Sequence, residues 1–137
     1  MAEQVAQVDY YVGMLPHKAG EGVRVLNAIK DAGVNLIGFL GYPKARKAEI
    51  ILVVGTGAPA LGPIAKKVGV ALGKKQKAFL VTGENRPGAL AEVLGNISAA
   101  GVNVETVHAV SGCAECFGAL ITVAPQALKK TAKALGI

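Results

Sequence analysis

The sequence predicts an α+β fold made from two copies of one strand–helix–strand–strand–helix unit, and three observations carry that expectation. First, Gly20, Val25, Leu26, Ile29, Ala32, Gly33, Val34 and Asn35 recur at a constant offset of 68 residues as Gly88, Val93, Leu94, Ile97, Ala100, Gly101, Val102 and Asn103. An internal repeat that runs without a gap through a helix-like stretch means one supersecondary element used twice, with its entrance and exit turns. Second, each half passes from a β-rich run to helical spacing and back in the same order. Third, 137 residues allow two units of roughly 70 residues, a size at which a lone core is marginal. The expected repeats are residues 1–74 and 75–137.

The elements follow in chain order. Val8 to Met14 is rich in β-branched and aromatic residues and predicts a strand, closed by the turn-like run Leu15 to Gly20. From Glu21 to Ala32 the apolar residues Val25, Leu26, Ile29 and Ala32 fall at helical spacing, and Gly33 sits where a left-handed cap ends a helix. Val34 to Tyr42 predicts a second strand, Pro43 to Arg46 a connection, and the dense apolar run Ile50 to Val54 a third, buried strand forming a hairpin with the second. Ala58 to Leu72, opening with Pro59, predicts a second amphipathic helix despite Gly62-Pro63. The second half repeats the order: strand Lys77 to Thr82, turn Gly83 to Gly88, helix Ala89 to Ala100, strand Val102 to Val110, a hairpin tip near Gly112, strand Phe117 to Val123 and helix Pro125 to Leu135.

Two helices returned onto one side of an antiparallel sheet make the ferredoxin-like arrangement, which normally ends with a fourth strand. Neither half leaves room for one, so the fourth strand is expected to be missing or shared. The exposed edges are expected to pair between repeats or between chains.

Composition narrows the function classes. The formal charge is +6, but the cations fall in short patches, Lys44 to Lys47, Lys66-Lys67, Lys74 to Lys77 and Lys129-Lys130, at turns and helix ends where they are favourable in any case. Aromatic residues make up 4% and tryptophan is absent, so the stacking platforms of a nucleic-acid-binding sheet are missing. Hydrophobic content is 52% and mean hydropathy +0.44, yet no apolar run approaches the roughly 18 residues needed to span a bilayer. Neither nucleic acid nor membrane is expected as a partner. The first residues carry no basic and apolar leader pattern, so a cytoplasmic location is expected, and the apolar excess together with open sheet edges predicts a homodimer.

The run Thr82-Gly83-Glu84-Asn85-Arg86-Pro87-Gly88-Ala89-Leu90-Ala91-Glu92-Val93-Leu94, followed by Ala100-Gly101-Val102-Asn103-Val104, resembles the signature of an ACT domain. That pattern is a strand, an Asn-Arg-Pro-Gly or Asp-Arg-Pro-Gly turn, an amphipathic helix, and Gly-hydrophobic-Asn-hydrophobic entering the next strand. The first half keeps Lys18-Ala19-Gly20 and Gly33-Val34-Asn35-Leu36 but has His17-Lys18-Ala19 where the second has Asn85-Arg86-Pro87. The resemblance covers nearly the whole chain as a tandem pair. It implies a stand-alone regulatory protein that binds a small molecule, an amino acid first among the candidates, where two such units meet, and signals to a regulated enzyme or transcription factor.

The residues support such a site independently. A glycine at a helix entrance lets a ligand approach the backbone, and the unpaired N–H groups and positive dipole end suit a carboxylate. The candidate ligand-binding residues are His17, Lys18, Ala19, Gly20 and Asn35 in the first half, and Asn85, Arg86, Pro87, Gly88, Ala89, Leu90 and Asn103 in the second. The same turn residues also make an efficient turn without any ligand, His17 also reads as an exposed loop residue, and Asn35 and Asn103 also read as backbone-bonding residues after a helix end. The unlike turns predict two sites that are not equivalent.

Cys113-Ala114-Glu115-Cys116 has the spacing of a redox pair or half a zinc site. The chain has only two cysteines and two histidines, so a metal would need His108, His17 or a second chain, and neither a metal nor a cofactor is expected. No nucleophile–base–acid constellation is evident among the nine acidic residues and the scattered serines, and Gly55-Thr56-Gly57 lacks a phosphate-binding fingerprint. An enzyme is not expected. Two alternatives stay open: a protein-interaction module without ligand, and a metal- or thiol-responsive switch through Cys113 and Cys116.

Overall fold

The protein is described by a computed structural model covering residues 3–137. The chain divides into two compact units, Asp9–Gln76 and a second formed by Lys77–Ile137 with the residues up to Val8. The boundary between the halves lies two residues beyond the expected 74/75. The N-terminal residues, expected with the first repeat, group with the second unit.

In the unit Asp9–Gln76 the elements are β1 (Gln4–Pro16), which enters it at Asp9, α1 (Glu21–Asp31), β2 (Gly38–Lys44), β3 (Lys47–Gly55) and α2 (Gly62–Lys66). Strand order is β2-β3-β1, and β2 and β3 form an antiparallel hairpin in unbroken register from Gly38↔Val53 to Lys44↔Lys47. All of Ile50 to Val54 is buried, as the apolar run predicts. Ile50, Leu52 and Val54 share one core with Tyr11 and Leu15 of β1, Val25 and Ile29 of α1, and Leu61 and Ala65. Strand period 2 and helix period near 4 thus meet on one face.

Two expectations need correction here. β2 begins at Gly38 and not at Val34, because Gly33 N–H donates to Lys30 carbonyl (2.9 Å) and Val34 N–H to Ile29 carbonyl (3.2 Å), which closes the helix end and turns the chain before it can pair. The predicted helix Ala58 to Leu72 shrinks to Gly62–Lys66: Gly62 and Pro63 open it, and Val70 N–H folds back onto Ala65 carbonyl at 3.0 Å to end it. Apolar spacing alone cannot see such stops.

The second unit contains β4 (Gln76–Glu84), α3 (Ala89–Ala99), β5 (Val104–Cys113), β6 (Cys116–Val123), a 3-10 turn at Pro125–Ala127 and α4 (Leu128–Ala134). Its strand order is β1-β4-β6-β5. Phe79 and Val81 of β4, Ala89, Val93 and Ile97 of α3, and Phe117, Ala119, Ile121 and Val123 of β6 make its core, with Val5 packed against them.

The second unit's fourth strand is therefore supplied by the N-terminal residues. The residues of β1 before Asp9 take the edge position beside β4, and a Cβ on Gly83 of β4 would lie 2.9 Å from the Glu3 side chain. In the first unit the same position is only a trace: Leu72 bridges Gly13, and Gly73 N–H donates to Val12 carbonyl at 2.8 Å. Both units are ferredoxin-like, with the helices of the ACT-like pattern. Among the described residues no helix is long and apolar enough to cross a membrane.

Candidate functional site

Each first helix opens on a left-handed glycine, Gly20 at φ 87° before α1 and Gly88 at φ 82° before α3. L side chains rarely adopt that conformation, which explains why glycine stands at both entrances. The repeat extends to the bonds: Arg24 N–H donates to Gly20 carbonyl at 3.1 Å and Glu92 N–H to Gly88 carbonyl at 3.0 Å. No side chain caps either helix, so first-turn amides such as Leu90 and Ala91 have no intrahelical acceptor. Space beside each glycine is open.

A cleft lies at each entrance, within its own unit. The one at α3 is about 400 Å³ and is lined by Asn85, Arg86, Gly88, Ala89, Leu90 and Ala91 from the turn and first helical turn, by Ala109, Val110 and Ser111 from the end of β5, and by Phe117. The one at α1 is about 230 Å³, with Pro16, His17, Lys18, Glu21 and Gly22 facing Phe39, Gly41, Tyr42 and Pro43 of β2. Gly41, Tyr42 and Pro43 stand 68 residues before Ala109, Val110 and Ser111, so the clefts are repeats of each other.

Their electrostatics differ. No carboxylate lines the α3 cleft. Arg86 forms a two-armed ion pair with Glu92, one arm at 3.2 Å, and lies 3.8 Å from Glu3. Glu92 holds the guanidinium above the ordinary arginine value, while Arg86 holds the Glu92 carboxyl below its own. The α1 cleft carries Glu21, whose carboxyl accepts from Arg24 at 2.9 Å and is held below the ordinary range by that bond. Each helix thus carries an ion-paired carboxylate in its first turn, Glu21 with Arg24 and Glu92 with Arg86, but Glu21 lines its cleft and Glu92 does not. At the α1 cleft, Tyr42 hydroxyl donates to Glu49, and Lys44 Nζ pairs with Glu49 at 3.0 Å.

Asn85 ties the α3 turn to the hairpin tip. Its backbone N–H donates to Glu115 carbonyl at 3.0 Å, and its Nδ2 donates to Ser111 Oγ at 3.3 Å. Ser111 Oγ donates in turn toward the carbonyls of Cys113 and Cys116, each at 2.7 Å. Cys113 and Cys116 form a disulfide across this tip. Among the described residues no group of three or more His, Cys, Asp or Glu side chains converges as a metal site.

Of the candidate residues, the structure gathers Asn85, Arg86, Gly88, Ala89 and Leu90 in one cleft and His17 and Lys18 in the other. Ala19, Gly20 and Pro87 lie in the same turns without lining either cleft. Asn35 and Asn103 are exposed beyond the helix C-terminal ends. An 11-residue helix is about 16 Å long, so these two asparagines stand a helix length away from the entrances. Sequence reasoning missed Ser111, Ala109, Val110 and Phe117, and the aromatic wall Phe39 and Tyr42. The offset of 68, carried past Asn103 into the hairpin, is the signal that pairs Tyr42 and Pro43 with Val110 and Ser111.

Neither a protein-family model nor a curated protein sequence matches the chain. Solved structures do match its fold. A protein from Bacteroides thetaiotaomicron superposes with a TM-score of 0.77 at 22% identity, covering 97% of this chain and 88% of that one. The ligand-free regulatory subunit of aspartate kinase from Thermus thermophilus gives 0.71 at 12% identity, covering 98% and 95%. The corresponding subunit from Thermus flavus gives 0.65 at 13% identity, with the same coverage. The chain is similar to these in fold along nearly their whole length.

Proposed function

We propose that this chain is a regulatory protein whose α3 cleft binds a small carboxylate ligand, an amino acid before others, and whose ligand state is passed to a separate enzyme or transcription factor. The observation that carries the reading is the uncapped N-terminus of α3, opening at Gly88 onto a cleft of about 400 Å³ that no carboxylate lines. That volume falls within the roughly 300–1,000 Å³ of small-molecule sites. Free first-turn amides and the helix dipole favour an anion there, while Asn85 and Ser111 supply amide and hydroxyl groups for the rest of a polar headgroup. The α1 cleft is smaller and carries Glu21, so it is the weaker site for a carboxylate. The likeness of fold to regulatory subunits of aspartate kinase supports a regulatory rather than a catalytic role.

A homodimer completes the reading. β5 is the outer strand of its unit, and Val107 and Val110 on it are exposed, Val110 at 74%. A second copy pairing there would cover these residues and close the open side of the cleft. The same exposed strand favours the second reading, a protein-interaction module without ligand.

The test is a thermal-shift screen of the protein against the proteinogenic amino acids, one at a time. A ligand bound only to the native state adds about 2.7 kcal/mol at a hundredfold excess over Kd, so one or a few amino acids are expected to raise Tm plainly. Ala91→Leu fills the cleft from an exposed helical position that accepts leucine. It is expected to keep the unfolding free energy within about 0.5 kcal/mol of the parent and to lose the ligand-induced Tm shift. A flat screen, or an unchanged shift in Ala91→Leu, would overturn the assignment, and a flat screen would favour the interaction module.

A further inference from the structure

The two hairpins that wall the clefts are built differently, and the difference falls on the cysteines. In the first, β2–β3 register is continuous to its last pair, Lys44↔Lys47. In the second, the β5–β6 ladder breaks after Val110↔Gly118 and resumes only at Cys113↔Cys116. The cysteines occupy the tip positions that lysines hold in the other repeat. Beside the ladder pairs Cys113↔Cys116 and Glu84↔Cys116, the interrupted tip is held by the disulfide, the Ser111 hydroxyl on the Cys113 and Cys116 carbonyls at 2.7 Å, and Asn85 N–H on the Glu115 carbonyl at 3.0 Å. Asn85 and Ser111 are the polar wall of the α3 cleft.

From this juxtaposition we propose that Cys113 and Cys116 are a thiol–disulfide modification site that sets the order of the Asn85–Ser111 wall, and through it the affinity of the α3 cleft. The ligand part of this rests on the function proposed above; the coupling of tip to wall does not. Cys113 is exposed and Cys116 half-buried, so a dithiol reductant reaches the Cys113 sulfur first. Its thiolate attacks Cys113 Sγ, the Cys113–Cys116 bond breaks, and Cys116 leaves as a thiolate that takes up a proton. The second thiol of the reductant then resolves the mixed disulfide and frees Cys113. The protein has gained two electrons and two protons, and the reductant leaves as a disulfide. With the tip no longer closed covalently, the Cys113 and Glu115 carbonyls, which accept from Ser111 and Asn85, lose a restraint on their positions, while Cys116 keeps its register with Glu84 of β4.

The experiment compares the full chain oxidised in air, the same protein treated with dithiothreitol, and Cys113→Ser/Cys116→Ser. Alkylation followed by mass measurement is expected to add no label to the oxidised protein and two labels after reduction. Hydrogen exchange at the Asn85 amide is expected to speed up on the order of tenfold on reduction and in the double variant, while the Ile97 amide in the core helix keeps its rate. Two labels on the air-oxidised protein, an unchanged Asn85 rate, or an equal rise at Ile97 would each overturn the proposal. The amino-acid screen repeated with dithiothreitol is expected to show a smaller shift. A shift equal in both states overturns the affinity claim, whereas a flat screen in both states overturns the proposed ligand and leaves the exchange result to decide the coupling.

Discussion

Gly88 shows that a residue placed correctly by the repeat can carry a second, conformational constraint that spacing does not reveal. Its place before the helix is evident from the repeat, and the natural inference is that a larger side chain there would block a ligand. A Cβ at Gly88 meets nothing within 4 Å, but φ is 82°. The cost of substitution is therefore conformational, about 1–2 kcal/mol for an ordinary L residue, less for asparagine and more for a β-branched side chain. Denaturant unfolding is expected to rank stability as parent, Gly88→Asn, Gly88→Ala, Gly88→Val in falling order. Equal stabilities would show that the entrance turn relaxes out of the left-handed region. Asn35 and Asn103 illustrate the converse. They resemble site residues because they follow a conserved-looking exit turn within the repeat, yet the helix length separates them from the cleft, and sequence spacing carries no sign of which helix end a residue faces. Ser111 was invisible for the opposite reason: a lone serine in a strand has no pattern until the hairpin brings it beside Asn85.

At the scale of elements, strands and first helices were legible because period and caps agree, whereas α2 was not, because Gly62-Pro63 and the fold-back at Val70 shorten it while its apolar spacing continues. The hairpins differ most in how their ends are held. The β5–β6 disulfide closes a ring of four residues and restricts the unfolded chain by only about 2 kcal/mol, so its effect is mainly local. The β2–β3 end is held by polar contacts instead. The Tyr42 hydroxyl first, and the Lys44 ammonium second, keep the Glu49 carboxyl below the ordinary range, and the same bond holds the Tyr42 hydroxyl above its own. A depressed carboxyl stabilises the fold above its unfolded pKa, and that contribution is lost as pH falls through the lower folded value. Removing the hydroxyl should therefore matter at neutral pH and not in acid. Tyr42→Phe is expected to lower Tm near pH 7, by a difference that narrows as pH falls from there through and below the ordinary carboxylate range. A difference in Tm that stays constant across that range would mean that Tyr42 acts by packing alone.

For the whole molecule, the decisive feature is where the chain begins to be useful to its second unit. The alternation Gln4-Val5-Ala6-Gln7 is a weak strand signal, and nothing in it says which sheet it joins. The structure places these residues beside β4, packs Val5 against the second core and brings Glu3 to 3.8 Å from Arg86. A division at 74/75 therefore cuts the second unit from its own edge strand, although it passes through no helix or long strand. The fragment 75–137 would bare the outer edge of β4 together with part of a core that includes Phe79 and Val81, and bare edges associate rather than stay open. Fragment 75–137 alone is expected to aggregate or to show no cooperative transition. A single chain carrying residues 1–8, a flexible linker and 77–137 is expected to unfold cooperatively, because it restores the strand where the second unit uses it. If 75–137 folds as a stable monomer by circular dichroism and sedimentation, the N-terminal strand is dispensable. If only the linked chain folds, the N-terminal residues are a structural part of the unit that also holds the α3 cleft, and changes to them, such as Val5→Asp, should reach the cleft through the strand that packs beneath α3.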